Sequence, residues 1–159
     1  MQQVYISDTN IWIDFRNAQL LDALFDLPLK LSCTDFVLNE LEDFDHPYLL
    51  AKGLLVETLE AHATTELFRL MGQHNNSSLA DVSCYQLAKQ TGNPLLTGDG
   101  RLRKQAQMDG MQVHGALWLL DQLVSHQVIT PKEAAFGLKA MLDNGARLPE
   151  AECVKRFTA

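Results

Sequence analysis

The sequence predicts an α/β protein: a three-layer α/β/α sandwich around a central parallel sheet of about five strands, followed by a C-terminal helical hairpin. Three observations predict it. Short apolar runs alternate with stretches whose apolar residues recur at helical spacing, which is the pattern of strand–helix–strand units. Nothing repeats internally, and no linker divides the chain. Four carboxylates, Asp8, Glu40, Asp81 and Asp99, each fall where an apolar strand or short loop gives way to a helix or turn. Soluble chains normally keep acids on solvated helix faces, so this placement points to the sheet's carboxyl edge.

The elements follow in order. Val4-Tyr5-Ile6 marks a strand over 3–7, and Leu20, Leu21, Leu24 and Phe25 then recur at helical spacing. A second strand covers 30–34, and a short helix runs from Asp35 to Asp43 with Phe36, Val37, Leu38 and Leu41 apolar. Pro47 and Gly53 bracket what reads as a loop before a third strand at 53–58. A longer helix carries Leu67, Leu70 and Met71, and His74-Asn75-Asn76-Ser77-Ser78 is the clearest loop. Leu79 to Gln90 is helical, and Gly92-Asn93-Pro94 stops it and starts a fourth strand at 94–97. A short basic helix covers Gly100 to Met108, and Asp109-Gly110 turns it into a fifth strand at 111–114. Ala116, Leu117, Leu120, Leu123 and Val124 form one helix face. Thr130-Pro131-Lys132-Glu133 has the form of a capping box with proline at the first helical position. Ala134, Ala135, Leu138, Met141 and Leu142 face one way along that helix, Gly145 ends it, and a last short helix follows Leu148-Pro149-Glu150. Residues 1–159 read as one domain, with a core over 1–126 and a helical extension over 127–159.

Bulk properties narrow the functions. A chain of 159 residues can bury about two-thirds of its unfolded surface. A formal charge of −7 argues against a general polyanion binder, although bound divalent ions and a local basic patch can reverse the sign at a contact. No run approaches the roughly 18 apolar residues of a membrane span, and Met1-Gln2-Gln3 leads straight into a strand. Cys33, Cys84 and Cys153 fit neither a disulfide framework nor a zinc site, so reduced thiols in a cytoplasm are expected.

If the first and fourth strands lie in one parallel sheet, Asp8 and Asp99 emerge on the same edge. Like charges gathered there need a cation, and an oxygen-only cluster selects a hard one such as Mg²⁺ or Mn²⁺. Each acid also has an ordinary structural use. Asp8 can cap the helix starting near Ile11, Ser78 and Asp81 have capping-box spacing, Glu40 shares its helix with Glu42 and Asp43, and Asp99 can be a turn residue.

Ser7-Asp8-Thr9-Asn10 followed by an apolar residue resembles the opening motif of PIN-domain ribonucleases. Val37-Leu38-Asn39-Glu40-Leu41 is similar to their second acidic position, Ser77-Ser78-Leu79-Ala80-Asp81 with Leu87-Ala88 to the third, and Leu96-Thr97-Gly98-Asp99 with Leu102 and Ala106 to the fourth. The resemblance spans about residues 4 to 124. It implies a metal-dependent nuclease hydrolysing single-stranded RNA, with the four acids holding one or two Mg²⁺ or Mn²⁺ ions directly or through water. Asn10 resembles the polar companion of the first acid, and Thr97 is expected to help fix the cluster. The resemblance also brings expectations about partners beyond RNA: a toxin role with a small antitoxin, and a homodimer.

Arg101, Arg103 and Lys104 follow Asp99 at a helix N-terminus, where backbone N–H groups also favour anions, so they are the candidates for gripping phosphate. The alternative is a solvated basic face balancing the acids. Trp12 and Tyr85 could stack a base, but both lie in patterns that bury apolar residues. His46, His62, His74, His114 and His126 show no metal-ligand spacing, and only His114, at the end of the fifth strand, falls near the expected pocket.

Two other functions compete. A receiver-like phosphoryl switch needs an acidic pair after strand one and a distal Lys, whereas this chain has Asp8-Thr9-Asn10 and His114-Gly115. A catalytically silent PIN-fold binding or scaffolding module is the second, and the presence of all four acids speaks against it.

Overall fold

The structure, a computed structural model, describes residues 2–59, 66, 69, 71–72 and 78–157. Leu67 and Leu70 of one expected helix, most of the expected loop over 74–78, and His62 lie outside the described residues. The chain opens with β1 (Val4–Ser7), which passes through Asp8 into α1 (Thr9–Asn17) and α2 (Leu21–Leu24). Next come β2 (Lys30–Thr34), α3 (Asp35–Glu40), α4 (His46–Lys52) and β3 (Leu55–Glu57). The second half holds α5 (Leu79–Thr91), β4 (Leu95–Leu96), α6 (Gly100–Met108), β5 (Val113–His114), α7 (Ala116–Ser125), α8 (Pro131–Asp143) and α9 (Glu150–Phe157).

The five strands form one parallel sheet in the order β3-β2-β1-β4-β5, with Ile6 opposite both Ser32 and Leu95, and Leu96 opposite His114. All five expected strands are present. Several are shorter than expected, because ladder pairing stops where prolines and turn residues begin. Pro94 lies outside β4 yet its carbonyl still accepts the Ile6 N–H at 2.9 Å, a role that needs no donor of its own.

Helices cover both faces. On one, α5 lies against β1, β2 and β4, flanked by α3 and α6, and Ala80 through Ala88 are all buried. A helix enclosed on so many sides carries its polar residues inward too, and Asp81 is among them. On the other face α1 packs with α2, α7 and α8, centred on Trp12, Phe15 and Leu24. Burying each such side chain contributes on the order of 1.5–3 kcal/mol before the cost of ordering it. Trp12 and Tyr85 are both core residues, at 0% and 1% exposure. Trp12 stacks on Phe25, and the Tyr85 hydroxyl donates to Asp109, so neither is a free stacking platform.

The C-terminal helices pack on their own chain. Leu138 and Met141 of α8 are buried, and Gly137 brings the helix close to Leu20 and Ala18 beside α1. Thr130 and Glu133 form the expected capping box. Among the described residues no helix is long and apolar enough to cross a membrane. Cys33, Cys84 and Cys153 are all buried.

One local expectation needs correction. The segment between Pro47 and Gly53 is the helix α4, not a loop. Asp45 caps it by accepting the Tyr48 N–H at 3.1 Å, Pro47 sits in the first turn where no intrahelical N–H is needed, and Gly53 ends it at φ +119°. The helical spacing of Leu20, Leu21, Leu24 and Phe25 corresponds to the short helix α2 and its two flanking residues, and Gln19 at φ +59° separates it from α1.

Candidate functional site

With β1 in the middle, the chain builds β2 and β3 to one side and β4 and β5 to the other. The crevice outside the carboxyl ends of β1 and β4 is therefore the place where such sheets take ligands. Asp8 stands there, fully buried, directly after β1. Its backbone N–H donates to the Leu96 carbonyl at 3.0 Å, which pins it to the end of β4. Its Oδ1 accepts the Ile11 N–H at 3.0 Å and so caps α1, while Oδ2 accepts the Thr97 hydroxyl at 2.7 Å and the Gly98 N–H at 3.0 Å. Both readings of Asp8 hold together: it is a helix cap and a buried acid at the sheet edge. Burial raises its pKa above the ordinary 3.8, the hydrogen bonds from Thr97, Ile11 and Gly98 oppose that, and the charge of Asp99 adds to it.

Thr97 links the first and fourth acids. Its hydroxyl oxygen donates to Asp8 and accepts the Asp99 N–H at 3.1 Å. Asp99 caps α6 in turn, with Oδ1 accepting the Arg101 and Leu102 N–H groups at 2.9 and 3.1 Å. This corrects one expectation, since the amides at the start of α6 are engaged by Asp99 and are not left for an outside anion.

Asp81 lies in the first turn of α5, 8% exposed. Ser78 caps that helix by accepting the Asp81 N–H at 3.0 Å, so the capping function rests on Ser78. The Asp81 carboxyl is pushed up to about 7, chiefly by burial, then by the charges of Asp8 and Asp99, with a smaller push from Glu40. All three other acids of the sequence pattern thus act on this one group. Glu40 is exposed at the last position of α3, where a carboxylate opposes the helix dipole and does nothing for the helix. The Thr9 hydroxyl holds it, donating to Oε1 at 2.6 Å.

Several residues of the site were not picked out from the sequence. Thr9 is one, although it lies inside the first motif. Asp14 is another: burial and the charge of Asp8 push its carboxyl up to about 6, and its position amid Ile11-Trp12-Ile13 and Phe15 was the available signal. The third is the Thr34–Ser83 hydroxyl pair at 2.7 Å, which ties the start of α3, the helix that carries Glu40, to α5, the helix that carries Asp81. Since Ser83 donates to the Ala80 carbonyl at 2.6 Å, Thr34 is the donor of the pair.

The remaining candidates are spread out. Asn10 is exposed and makes no side-chain hydrogen bond among the described residues. Arg101 and Lys104 are exposed on α6, whereas Arg103 is half-buried. His114 stacks on Trp118, with ring centroids 4.1 Å apart at 12°. Its pKa is lowered from 6.5 by burial and then by the Arg103 charge. Among the described residues, no group of three or more His, Cys, Asp or Glu side chains is placed so that it could hold a metal ion, so Asp8, Glu40, Asp81 and Asp99 do not form a four-ligand set as they stand. The donor chemistry nevertheless suits a hard divalent cation: the groups are carboxylates, two of them buried, and the charges of Asp8, Asp99 and Glu40 all raise the proton affinity of Asp81.

Comparison with known proteins bears on the fold and the family. No curated protein matches the chain at a significant level. The chain's fold is similar to that of a PilT N-terminus domain protein from the hyperthermophilic archaeon Sulfolobus solfataricus, with a TM-score of 0.50 at 10% identity over 77% of this chain and 94% of that one. A family model described as PIN domain matches residues 4–158, nearly the whole sequence. The chain belongs to the PIN-domain family.

Proposed function

We propose that the protein is an endoribonuclease dependent on Mg²⁺ or Mn²⁺ that hydrolyses phosphodiester bonds in single-stranded RNA, with Asp8, Glu40, Asp81 and Asp99 as metal ligands directly or through water. The observation that carries the reading is the placement of acids at one sheet edge: Asp8 is buried after β1, Thr97 ties it to Asp99 after β4, and the charges of Asp8, Asp99 and Glu40 act on the nearly buried Asp81. Such repulsion costs folding stability and is relieved by a cation placed among the carboxylates.

Each residue has a distinct part. Asp8, held by three hydrogen bonds, is the fixed anchor at the end of β1. Thr97 keeps Asp8 and Asp99 in register, and Asp99 keeps the start of α6 folded against the crevice. Asp81 brings a nearly buried carboxyl from α5, and Glu40, exposed and steadied by Thr9, closes the rim. When bound, the ion supplies a water of lowered pKa and offsets the charge of the scissile phosphate. Family membership supports nuclease chemistry as the use of this arrangement.

One observation favours a second reading, a catalytically silent PIN-fold binding module: the acids do not stand as a ready ion-holding set. Incubation of a mixed RNA pool with Mg²⁺ or Mn²⁺, beside EDTA and an Asp8→Ala control, separates the two. Metal-dependent cleavage lost in the control supports the nuclease. No cleavage, together with no calorimetric binding of Mn²⁺, leaves the binding module. A toxin role belongs to the nuclease reading, and growth arrest on expression that disappears with Asp8→Asn tests it.

A further inference from the structure

Gly115 ends β5 and caps α7, and it is buried. A Cβ built on it would stand 2.9 Å from Nη1 of Arg103 and 3.5 Å from the Thr97 carbonyl oxygen. The Arg103 guanidinium therefore lies in the space that any larger residue at 115 would fill, between the carboxyl ends of β4 and β5. This is one strand along from Asp8, on the edge that carries the acids. Among the described residues Arg103 has no ion pair and no side-chain hydrogen bond. A half-buried guanidinium usually has a carboxylate partner, because partial desolvation without one is costly. Here it stands instead at the positive end of α7, whose first turn has no side-chain cap.

From this seat we infer that Arg103 binds a phosphate of the nucleic-acid strand next to the one held at the acid pocket, and that Gly115 is its positioning residue. The inference rests on the nuclease reading for the identity of the strand, and on the guanidinium's place for the binding site. It distinguishes Arg103 from Arg101 and Lys104, which are exposed residues of the same helix. A fork of N–H donors on a rigid seat matches phosphate oxygens, and the buried floor of the site limits the orientations the side chain can take.

Gly115→Ala is a discriminating variant. At φ −130° and ψ −165° the backbone accepts alanine, and the new methyl meets under 3.0 Å only the flexible end of Arg103. It moves the guanidinium while keeping its charge, whereas Arg103→Ala removes it. Inorganic phosphate is titrated into the metal-free protein while NMR follows the Gly115 amide and the His114 ring. Phosphate should shift both signals in the unsubstituted protein and neither in Arg103→Ala. Signals that stay still, or that move equally without Arg103, overturn the inference.

Fluorescence anisotropy with a labelled single-stranded oligoribonucleotide in EDTA gives the second arm. Arg103→Ala and Gly115→Ala should each weaken binding roughly tenfold, with the log–log salt slope smaller by about 0.7 in Arg103→Ala. Lys139→Ala, which removes the same charge from an exposed site on α8, should change little. Equal losses in all three variants, or none in the first two, overturn the inference. Phosphate and oligonucleotide binding that behave as expected without any metal-dependent cleavage would remove the nuclease reading alone.

Discussion

Thr97 and Asp8, 89 residues apart in sequence, are joined by a buried 2.7 Å hydrogen bond from hydroxyl to Oδ2. The same Thr97 oxygen accepts the Asp99 N–H, so one side chain sets the spacing of the acids that follow β1 and β4. Thr97→Val keeps the volume but leaves a buried carboxylate oxygen and a backbone N–H each one partner short. It should cost about 1–3 kcal/mol in urea unfolding. Residues that orient metal ligands typically change metal affinity about 10–100-fold, so calorimetric Mn²⁺ binding should weaken by that order in Thr97→Val. Thr97→Ser, which keeps the hydroxyl, should recover most of both. A valine variant that binds Mn²⁺ as tightly as the parent would show that Thr97 does not position the acids.

The acid cluster predicts an unusual pH dependence. Asp81 has a folded pKa near 7 against an ordinary 3.8, so the folded state holds its proton more tightly than the unfolded chain does. A group raised in this way favours the fold while it is protonated. That advantage diminishes as pH rises from about 4 and is gone above about 7. Without divalent ions, stability should therefore increase as pH falls from 7.5 to 5, and Asp81→Asn should flatten the trend. His114 acts in the opposite direction: its lowered pKa removes stability as pH drops below 6.5. The difference between parent and Asp81→Asn urea midpoints in EDTA isolates the Asp81 contribution. Parallel curves for the two proteins would refute it.

The succession of strands and helices along the chain, and the positions of Asp8 and Asp99 after β1 and β4, were legible because they depend on local pattern: apolar runs, helix caps, and acids at strand ends. What escaped was decided by packing across long separations. Thr9 reaches Glu40 over 31 residues, and no property of Ser7-Asp8-Thr9-Asn10 alone says that the hydroxyl will face α3. Arg103 differs from Arg101 and Lys104 only because α6 turns it toward Gly115, a register set by Leu102 and Ala106 entering the core. The helix α4 was hidden by a proline that usually marks a loop, although Asp45 two residues earlier is a strong capping signal. The alternative structural uses of the acids were also real, since Asp8 and Asp99 both cap helices while standing in the crevice.

Trp12 is fully buried, and its indole N–H has no hydrogen-bond partner among the described residues. The ring fills the core and stacks on Phe25 with centroids 5.9 Å apart, so it is the apolar body of the side chain that stabilises the fold. Trp12→Phe removes the unpaired donor along with some volume, two effects of opposite sign. The net cost should stay below about 1.5 kcal/mol. Trp12→Ala empties the site and should cost about 3–5 kcal/mol. Urea unfolding of both variants measures the gap, and equal costs would mean that the N–H has a partner.

The last prediction concerns how α8 is held. A Cβ at Gly137 would meet Leu20 Cδ1 at 2.7 Å and the Ala18 methyl at 3.4 Å, so the helix approaches its neighbours as closely as a glycine allows. Gly137→Val forces Leu20 out of its place or pushes the helix away from α1, and overpacking of this kind costs about 1–3 kcal/mol. The adjacent Phe136 points outward at 78% exposure, so Phe136→Ser should change stability by no more than about 0.5 kcal/mol. Thermal unfolding of the pair tests the packing directly. A tolerated valine at 137 would mean that α8 rests on the domain loosely, and truncation after Gln127 would then leave a stable protein rather than one with Leu138 and Met141's partners exposed.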